Sequence, residues 1–130
     1  MTRKCLVAVV LACSAIANSQ DFLPEKAVVR LYPDNFGGRR GHQVDLSNIA
    51  TNGKTVSARI TMYGPGQDGC RLQNQLAEGT FDGANFRIGA KIDPGDRTTC
   101  PMKFDLKRTD DGRFDGRFAN GQFGGVAKPE

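Results

Sequence analysis

Apolar and polar residues alternate with a period of two in several separate segments of this 130-residue chain. Because successive side chains of a β strand point to opposite faces, this period places each apolar set on one side of a strand. One apolar and one polar face are typical of a sheet that buries a single side. The apolar sets are Val56, Ala58, Ile60 and Met62; Phe86, Ile88, Ala90 and Ile92; Phe104 and Leu106; and Phe114 and Phe118.

Turn signals separate these segments, since all 16 glycines follow residue 36. Residues 28–32 and 42–46 are predicted as further short strands, and 82–83 and 109–112 as hairpin turns. The phrase Phe-Asp-Gly occurs at 81–83 and at 114–116, which we interpret as two similar hairpins. The sequence therefore predicts an all-β fold, an antiparallel meander of about seven or eight short strands in a small barrel or sandwich.

The first 19 residues are typical of a cleaved signal peptide. A basic start at Arg3 and Lys4 precedes an apolar run, 5–12, that is too short to span a bilayer, which needs about 20 residues. The sequence Ala15-Ile16-Ala17 predicts cleavage after Ala17, and cleavage after Ser19 is the alternative. We therefore expect an exported protein, periplasmic or secreted, in which residues 20–130 form a single all-β domain.

Cys13 leaves a second localisation open. The residues Val10-Leu11-Ala12-Cys13 resemble a bacterial lipobox, in which the cysteine becomes the lipidated first residue. Lipidation at Cys13 would anchor the domain to the cell envelope, and it is the only membrane contact that the sequence indicates.

The signal peptide also determines which cysteines remain in the mature chain. Of the four cysteines, Cys5 and Cys13 lie in the signal, so Cys70 and Cys100 are left. Exported proteins meet oxidising conditions, and the two are therefore predicted to form one disulfide. Closing a loop of about 30 residues stabilises a fold by about 3–4 kcal/mol in the chain-entropy model.

The charge balance gives no sign of a nucleic-acid partner. The formal charge of +4 falls to +2 when Arg3 and Lys4 leave with the signal, and the remaining charges are spread along the chain. This pattern is typical of a solvated surface, so binding to nucleic acid is not expected.

The segment 36–42, Phe-Gly-Gly-Arg-Arg-Gly-His, is the most unusual stretch of the chain. Arg39, Arg40 and the single histidine, His42, are candidates for an anion-binding loop, because arginine holds phosphate, sulfate or carboxylate through forked hydrogen bonds. The alternative is a glycine-rich turn whose arginines are solvated.

Residues 31–39 followed by 52–60 resemble one Greek-key motif of the β/γ-crystallin family, which places an aromatic residue before a Phe-x-Gly hairpin. The resemblance covers residues 28–60 and implies a Greek-key arrangement with, in that family, a Ca²⁺ site. Gly53 and Val56 stand where the family carries a ligand and a hydroxyl group, so no metal site is predicted. The remainder of the chain is similar in style to small exported bacterial β proteins, which implies no activity.

The sequence contains no assembled catalytic set and no cofactor motif, so no catalytic residue and no cofactor is predicted. We therefore expect a non-catalytic exported binding domain whose partner is a protein or an envelope polysaccharide. A small secreted hydrolase that uses surface carboxylates, and a structural protein of the envelope, are the alternatives.

Overall fold

The alternating segments form β strands in the computed structural model, which describes residues 22–63, 71–121 and 123–130. The signal peptide, Cys13 and Cys70 lie outside the described residues, so the predictions that concern them stay predictions. The described residues contain eight strands and a short 3-10 helix, Asp34–Phe36, between the first two strands. The strands are β1 (Ala27–Pro33), β2 (Gln43–Asn52), β3 (Thr55–Tyr63), β4 (Gln75–Phe81), β5 (Asn85–Ala90), β6 (Lys103–Arg108), β7 (Phe114–Ala119) and β8 (Gly124–Pro129).

These strands form a closed barrel in which each strand pairs antiparallel with its neighbours in sequence and β8 pairs with β1. The prediction of an antiparallel all-β meander is confirmed, and of its two architectures the barrel is the one observed. Closure leaves no strand edge unpaired within the described sheet, which removes the usual route to edge-to-edge association.

The predicted apolar faces point into the barrel and pack together. An eight-stranded barrel has an interior just wide enough for side chains to fill or for one small ligand. Here side chains fill most of it, and the largest that are fully buried are Phe86, Phe114, Leu46, Ile60, Met102, Leu106, Val29 and Val44.

Glycines permit close contacts between neighbouring strands at several places in the barrel. A Cβ at Gly79 of β4 would overlap the backbone carbonyl of Arg87 in β5, and a Cβ at Gly116 of β7 would overlap that of Asp105 in β6. Glycine kinks of this kind let strands coil tightly enough to close a small barrel.

The interpretation of the two Phe-Asp-Gly phrases as similar hairpins is wrong. Asp82 and Gly83 lie in the turn after β4, where the side chain of Asp82 accepts hydrogen bonds from the backbone of Ala84 and Asn85. The second phrase, 114–116, starts strand β7 itself. Its glycine serves the contact between β6 and β7, and the turn lies before it, at 109–113.

Two strands end at other positions than the alternation predicts. Ile92 lies beyond β5 and is 39% exposed, because the chain enters the Asp93–Asp96 turn, where the backbone N–H of Asp96 donates to the carbonyl of Asp93. Strand β2 continues past the predicted 42–46 to Asn52, through a bulge between Ser47 and Ala50 that interrupts the alternation.

The two ends of the barrel have connections of different length. Residues 53–54, 82–84 and 109–113 connect strands at one end, which we call the short-loop end. The other end, where β1, β3, β5 and β7 finish, carries the connections 34–42 and 91–102, and we call it the long-loop end. Binding residues of barrels are commonly carried on such longer loops, because loops vary without disturbing the sheet.

Aromatic packing fills the short-loop end. The rings of Phe81, Phe86 and Phe114 meet edge to face, with centroids 5.6–6.5 Å apart. The guanidinium of Arg108 lies over Phe81 and Phe114, at 5.8 and 5.1 Å from the ring centroids, and donates to the carbonyl of Phe22. A ligand that enters the barrel therefore has to enter from the long-loop end.

Within the described ranges, no helix has the length and hydropathy of a membrane span.

Candidate functional site

A small apolar cavity opens at the long-loop end and is the candidate site. Its volume is about 50 Å³. We call it the mouth pocket. Its polar lining residues are Asn35, His42 and Asn120, beside Gly41, and its apolar lining residues are Leu31, Pro33, Phe36, Met62, Met102, Phe118 and Phe123.

The walls of the mouth pocket come from both strands and loops. Leu31, Met62 and Phe118 sit near the ends of β1, β3 and β7, where the inward-facing alternation reaches the rim. Met102 precedes β6 and is held by backbone hydrogen bonds, from its N–H to the carbonyl of Cys100 and from the N–H of Ala90 to its own carbonyl, both 2.8 Å. The pocket therefore has rigid strand walls and a rim made of loop residues.

Two of the polar residues at the mouth pocket are fixed by the backbone. The carbonyl of His42 accepts the N–H of Leu31 at 2.9 Å, which extends the pairing of β1 and β2 to the rim. Asn120 is fixed by Phe123, whose backbone N–H donates to the Asn120 side-chain oxygen at 2.8 Å. The Asn120 amide NH₂ makes no hydrogen bond to the described residues. Polar groups held this way can orient a ligand whose apolar part enters the pocket.

The three predicted anion-binding residues have different surroundings. Arg39 lies at the rim, where its Nε donates to the carbonyl of Phe36 at 3.2 Å and its backbone N–H donates to the same oxygen at 3.3 Å. Arg40 instead reaches Glu130, with 3.3 Å between its terminal nitrogen and Oε2. His42 lines the mouth pocket. His42 thus belongs to the pocket, Arg39 is bonded to a residue that lines it, and Arg40 is paired with a carboxylate.

Glu130 connects the first and last strands on the outside of the barrel. Arg30 of β1 donates to both of its carboxylate oxygens, at 2.7 and 3.1 Å. This hydrogen bonding raises the pKa of the Arg30 guanidinium and lowers the pKa of the Glu130 carboxyl. An arginine–carboxylate fork of this kind has a fixed geometry, so the contact stabilises the pairing of the first and last strands.

The described carboxyls with shifted pKa values are acceptors in turns or partners of arginine. Backbone N–H groups of Asn85 and Ala84 lower the pKa of Asp82 to about 2. Hydrogen bonds from Thr99 and Thr98 lower the pKa of Asp96 to about 2, and Thr109 and Arg113 lower the pKa of Asp111. A general acid at neutral pH needs the opposite shift. These carboxylates are therefore suited to fixing loops.

Asp45 is the buried charged residue among the described ones. Its oxygens accept from the amide of Gln43 at 3.1 Å and from the hydroxyl of Tyr63 at 3.2 Å, and Lys26 Nζ lies 3.3 Å away. The carboxylate thus connects the segment before β1 and the last residue of β3 to the outer face of β2. It does not line the mouth pocket.

A larger open groove runs over the outside of β4 to β7 and has a volume of about 710 Å³. Charged residues of both signs line it and pair with one another, Lys91 with Glu78 at 3.2 Å and Arg87 with Asp105 at 3.3 Å. Such exposed pairs are worth roughly 0–1 kcal/mol each and are typical of a solvated sheet face. No group of three or more potential metal ligands occurs among the described residues.

Comparisons with protein-family models, with curated proteins and with solved structures find no match to this chain. Residues 28–60, which resemble a β/γ-crystallin motif, form β1, the 3-10 helix, β2 and most of β3, and that resemblance stays a prediction.

Arg39 and His42 could be identified from the sequence, whereas the mouth pocket could not. The alternation predicts Met62 and Phe118 as core residues. Met102 and Phe123 lie in irregular segments without a period, so only the fold brings them to the others. The length of the connections was the one sequence signal for the position of the site. Alternate connections of a meander lie at the same end of the barrel, so the longer ones indicate which end carries the loops.

Proposed function

We propose that this protein is a binding domain that receives an apolar side chain of a partner protein in the mouth pocket. The observation that carries the proposal is an apolar cavity, with a few oriented polar groups, at the open end of a barrel whose other end is filled by aromatic rings. Barrel mouths are frequent sites of ligand binding.

The size of the mouth pocket favours a protein partner over a large free ligand. Sites for drug-sized molecules enclose about 300–1,000 Å³, whereas this cavity has about 50 Å³. A single water molecule needs about 10–15 Å³ of cavity volume. The cavity therefore accepts a group the size of a leucine or isoleucine side chain. Single apolar side chains that fill pockets are typical anchors of protein interfaces.

Binding also agrees better than hydrolysis with the described carboxylates. A hydrolase of the retaining or inverting kind needs one carboxyl that stays protonated near neutral pH. The shifted carboxyls described above have lowered pKa values, and the mouth pocket contains no Asp or Glu side chain among its lining residues.

We also propose that the domain is exported and contains the Cys70–Cys100 disulfide. Supporting the pairing, the backbone N–H of Arg71 donates to the carbonyl of Thr98 at 2.7 Å, so the chains that flank the two cysteines run side by side. Intact mass spectrometry of the exported protein tests both statements. We expect a mature chain that begins at Asn18 or Gln20 and whose mass is two hydrogens below that of the reduced chain. An acylated Cys13 as the first residue would instead show that the domain is anchored by a lipid.

The binding proposal is tested by NMR titration with N-acetyl-L-leucinamide, a leucine side chain flanked by two amides. Chemical shifts should move for Met62, Met102 and Phe118, with a Kd of about a millimolar, as expected for a probe of this size. The Phe36→Ala variant should bind several-fold more weakly, because it loses one wall of the pocket.

The matched control is Ile92→Ala, which removes an exposed apolar residue of the same end that does not line the mouth pocket. It should bind as the wild type does. Thermal unfolding of both variants shows that each remains folded. Shifts confined to the outer groove, or produced by a chitooligosaccharide and not by the leucine probe, would contradict the proposal in favour of a glycan partner.

A further inference from the structure

Arg39 is a cationic residue that is hydrogen-bonded to Phe36, one of the residues that line the mouth pocket. Two hydrogen bonds, from its Nε and its backbone N–H, hold this residue on the backbone carbonyl of Phe36, which lines the pocket. The loop turns there through Gly37, which has a φ of 63°. The arginine is thus fixed near its base, and its terminal nitrogens project from the rim.

Those terminal nitrogens of Arg39 have no hydrogen-bond or ion-pair partner among the described residues. The neighbouring Arg40 differs, since one of its terminal nitrogens lies 3.3 Å from Glu130 Oε2. The terminal nitrogens of Arg39 are therefore available to an anion, and this residue is the one bonded to Phe36 of the pocket lining.

We propose that the mouth pocket binds the C-terminal residue of a partner polypeptide, with an apolar side chain in the cavity and its free carboxylate on Arg39. The inference rests on the proposed function and deepens it by naming which residue of the partner is bound. Arginine suits this role because its planar fork presents parallel N–H groups to the two oxygens of a carboxylate.

The polar groups around the cavity favour a peptide terminus over a simple fatty acid. Asn35, His42 and Asn120 line the mouth pocket together with its apolar residues. An alkyl carboxylate has no group for them beyond its charged head. A terminal residue offers the N–H and C=O of its last peptide bond next to its side chain, and capture of C-terminal carboxylates is an established mode of peptide recognition.

Two probes that differ only in charge test the contact with Arg39. N-acetyl-L-leucine carries the carboxylate, and N-acetyl-L-leucinamide carries a neutral amide in the same place. Wild-type protein should bind the carboxylate about fivefold more tightly at pH 7 and low salt, since a charge-assisted hydrogen bond is about twice as strong as a neutral one. The preference should shrink as salt is added, because the site is exposed.

Arg39→Gln should bring the two affinities together, while Arg40→Gln, its neighbour in the same loop, should keep the fivefold preference. Equal affinity of the wild type for both probes would overturn the C-terminal proposal and leave the apolar pocket intact. Loss of the preference in Arg40→Gln but not in Arg39→Gln would also overturn it. Binding of neither probe would contradict the proposed function itself.

A third probe separates a peptide terminus from a fatty acid. The compound 4-methylpentanoate has the leucine side chain and the carboxylate but lacks the acetamide group. It should bind several-fold more weakly than N-acetyl-L-leucine if the polar residues contact the last peptide bond. Equal or tighter binding of 4-methylpentanoate would overturn the assignment to a polypeptide and identify a small alkyl carboxylate as the ligand.

Discussion

Asp82 and Asp96 show how single side chains fix the turns of this barrel. Each accepts two backbone N–H groups from residues two and three positions further on, Asp82 from Ala84 and Asn85 and Asp96 from Thr98 and Thr99. In Asp96 the hydroxyl of Thr99 also donates and contributes most. The ionised carboxylate is the better acceptor for all of these donors, so both pKa values fall to about 2. The turns are therefore most stable when both groups are charged.

This arrangement predicts a loss of stability in acid. Between about pH 4 and pH 2 the unfolded chain binds more protons than the folded one at these sites, so the free energy of unfolding should fall with falling pH in that window. Asp82→Asn should give a flatter profile, measured by urea unfolding at several pH values. Asp110→Asn, in a turn where the aspartate side chain accepts no hydrogen bond from the described residues, should keep the wild-type slope.

At the scale of the strand, glycine decides how closely neighbours approach. A Cβ at Gly79 would overlap the carbonyl of Arg87, which is backbone and cannot rotate away. Gly79→Ala should therefore lower the free energy of unfolding by about 3 kcal/mol, at the upper end of the cost of overpacking. Urea unfolding followed by circular dichroism measures the change.

Gly89 is the control in the adjacent strand. A Cβ there would meet Cγ of Lys103 at 3.3 Å, and that side chain is exposed and flexible. Gly89→Ala should stay within about 0.5 kcal/mol of the wild type. If both variants lost the same stability, the cost would come from strand glycines in general, and the close contact of β4 and β5 would not explain it.

The strands could be predicted where one face is buried without interruption. The period of two in 56–62 and 104–106 gave both the elements and their inward faces, and burial in the barrel confirms them. The prediction failed where local geometry breaks the period. The bulge after Ser47 hid the second half of β2, and the Asp93–Asp96 turn took Ile92 out of β5.

For the whole molecule, the sequence predicted the meander but left barrel and sandwich open. The choice depends on pairing between the first and last strands, which are distant in sequence and carry no shared local signal. The candidate site likewise depends on contacts between segments that are distant in sequence. Arg39 and His42 were recognisable as a local cluster, whereas Met62, Met102 and Phe118 meet only after the barrel has closed.

The predicted disulfide acts on the stability of the whole domain. Cys100→Ser should lower the free energy of unfolding by about 3–4 kcal/mol, because the unfolded chain regains the freedom of a loop of about 30 residues. Urea unfolding of the wild type with and without a reductant provides the comparison. Reduced wild type should match the variant, and a wild type whose stability is unaffected by reduction would show that the two cysteines are not paired.

Binding of an apolar side chain at the long-loop end of the barrel is the proposed activity of this protein. An isotope-filtered NOE spectrum of the labelled protein with saturating N-acetyl-L-leucinamide tests it most directly. NOEs are expected from the leucine methyl groups to the methyl groups of Met62 and Met102, which line the mouth pocket. NOEs to the exposed Ala119 in the outer groove instead, or no intermolecular NOE at all, would contradict this proposal.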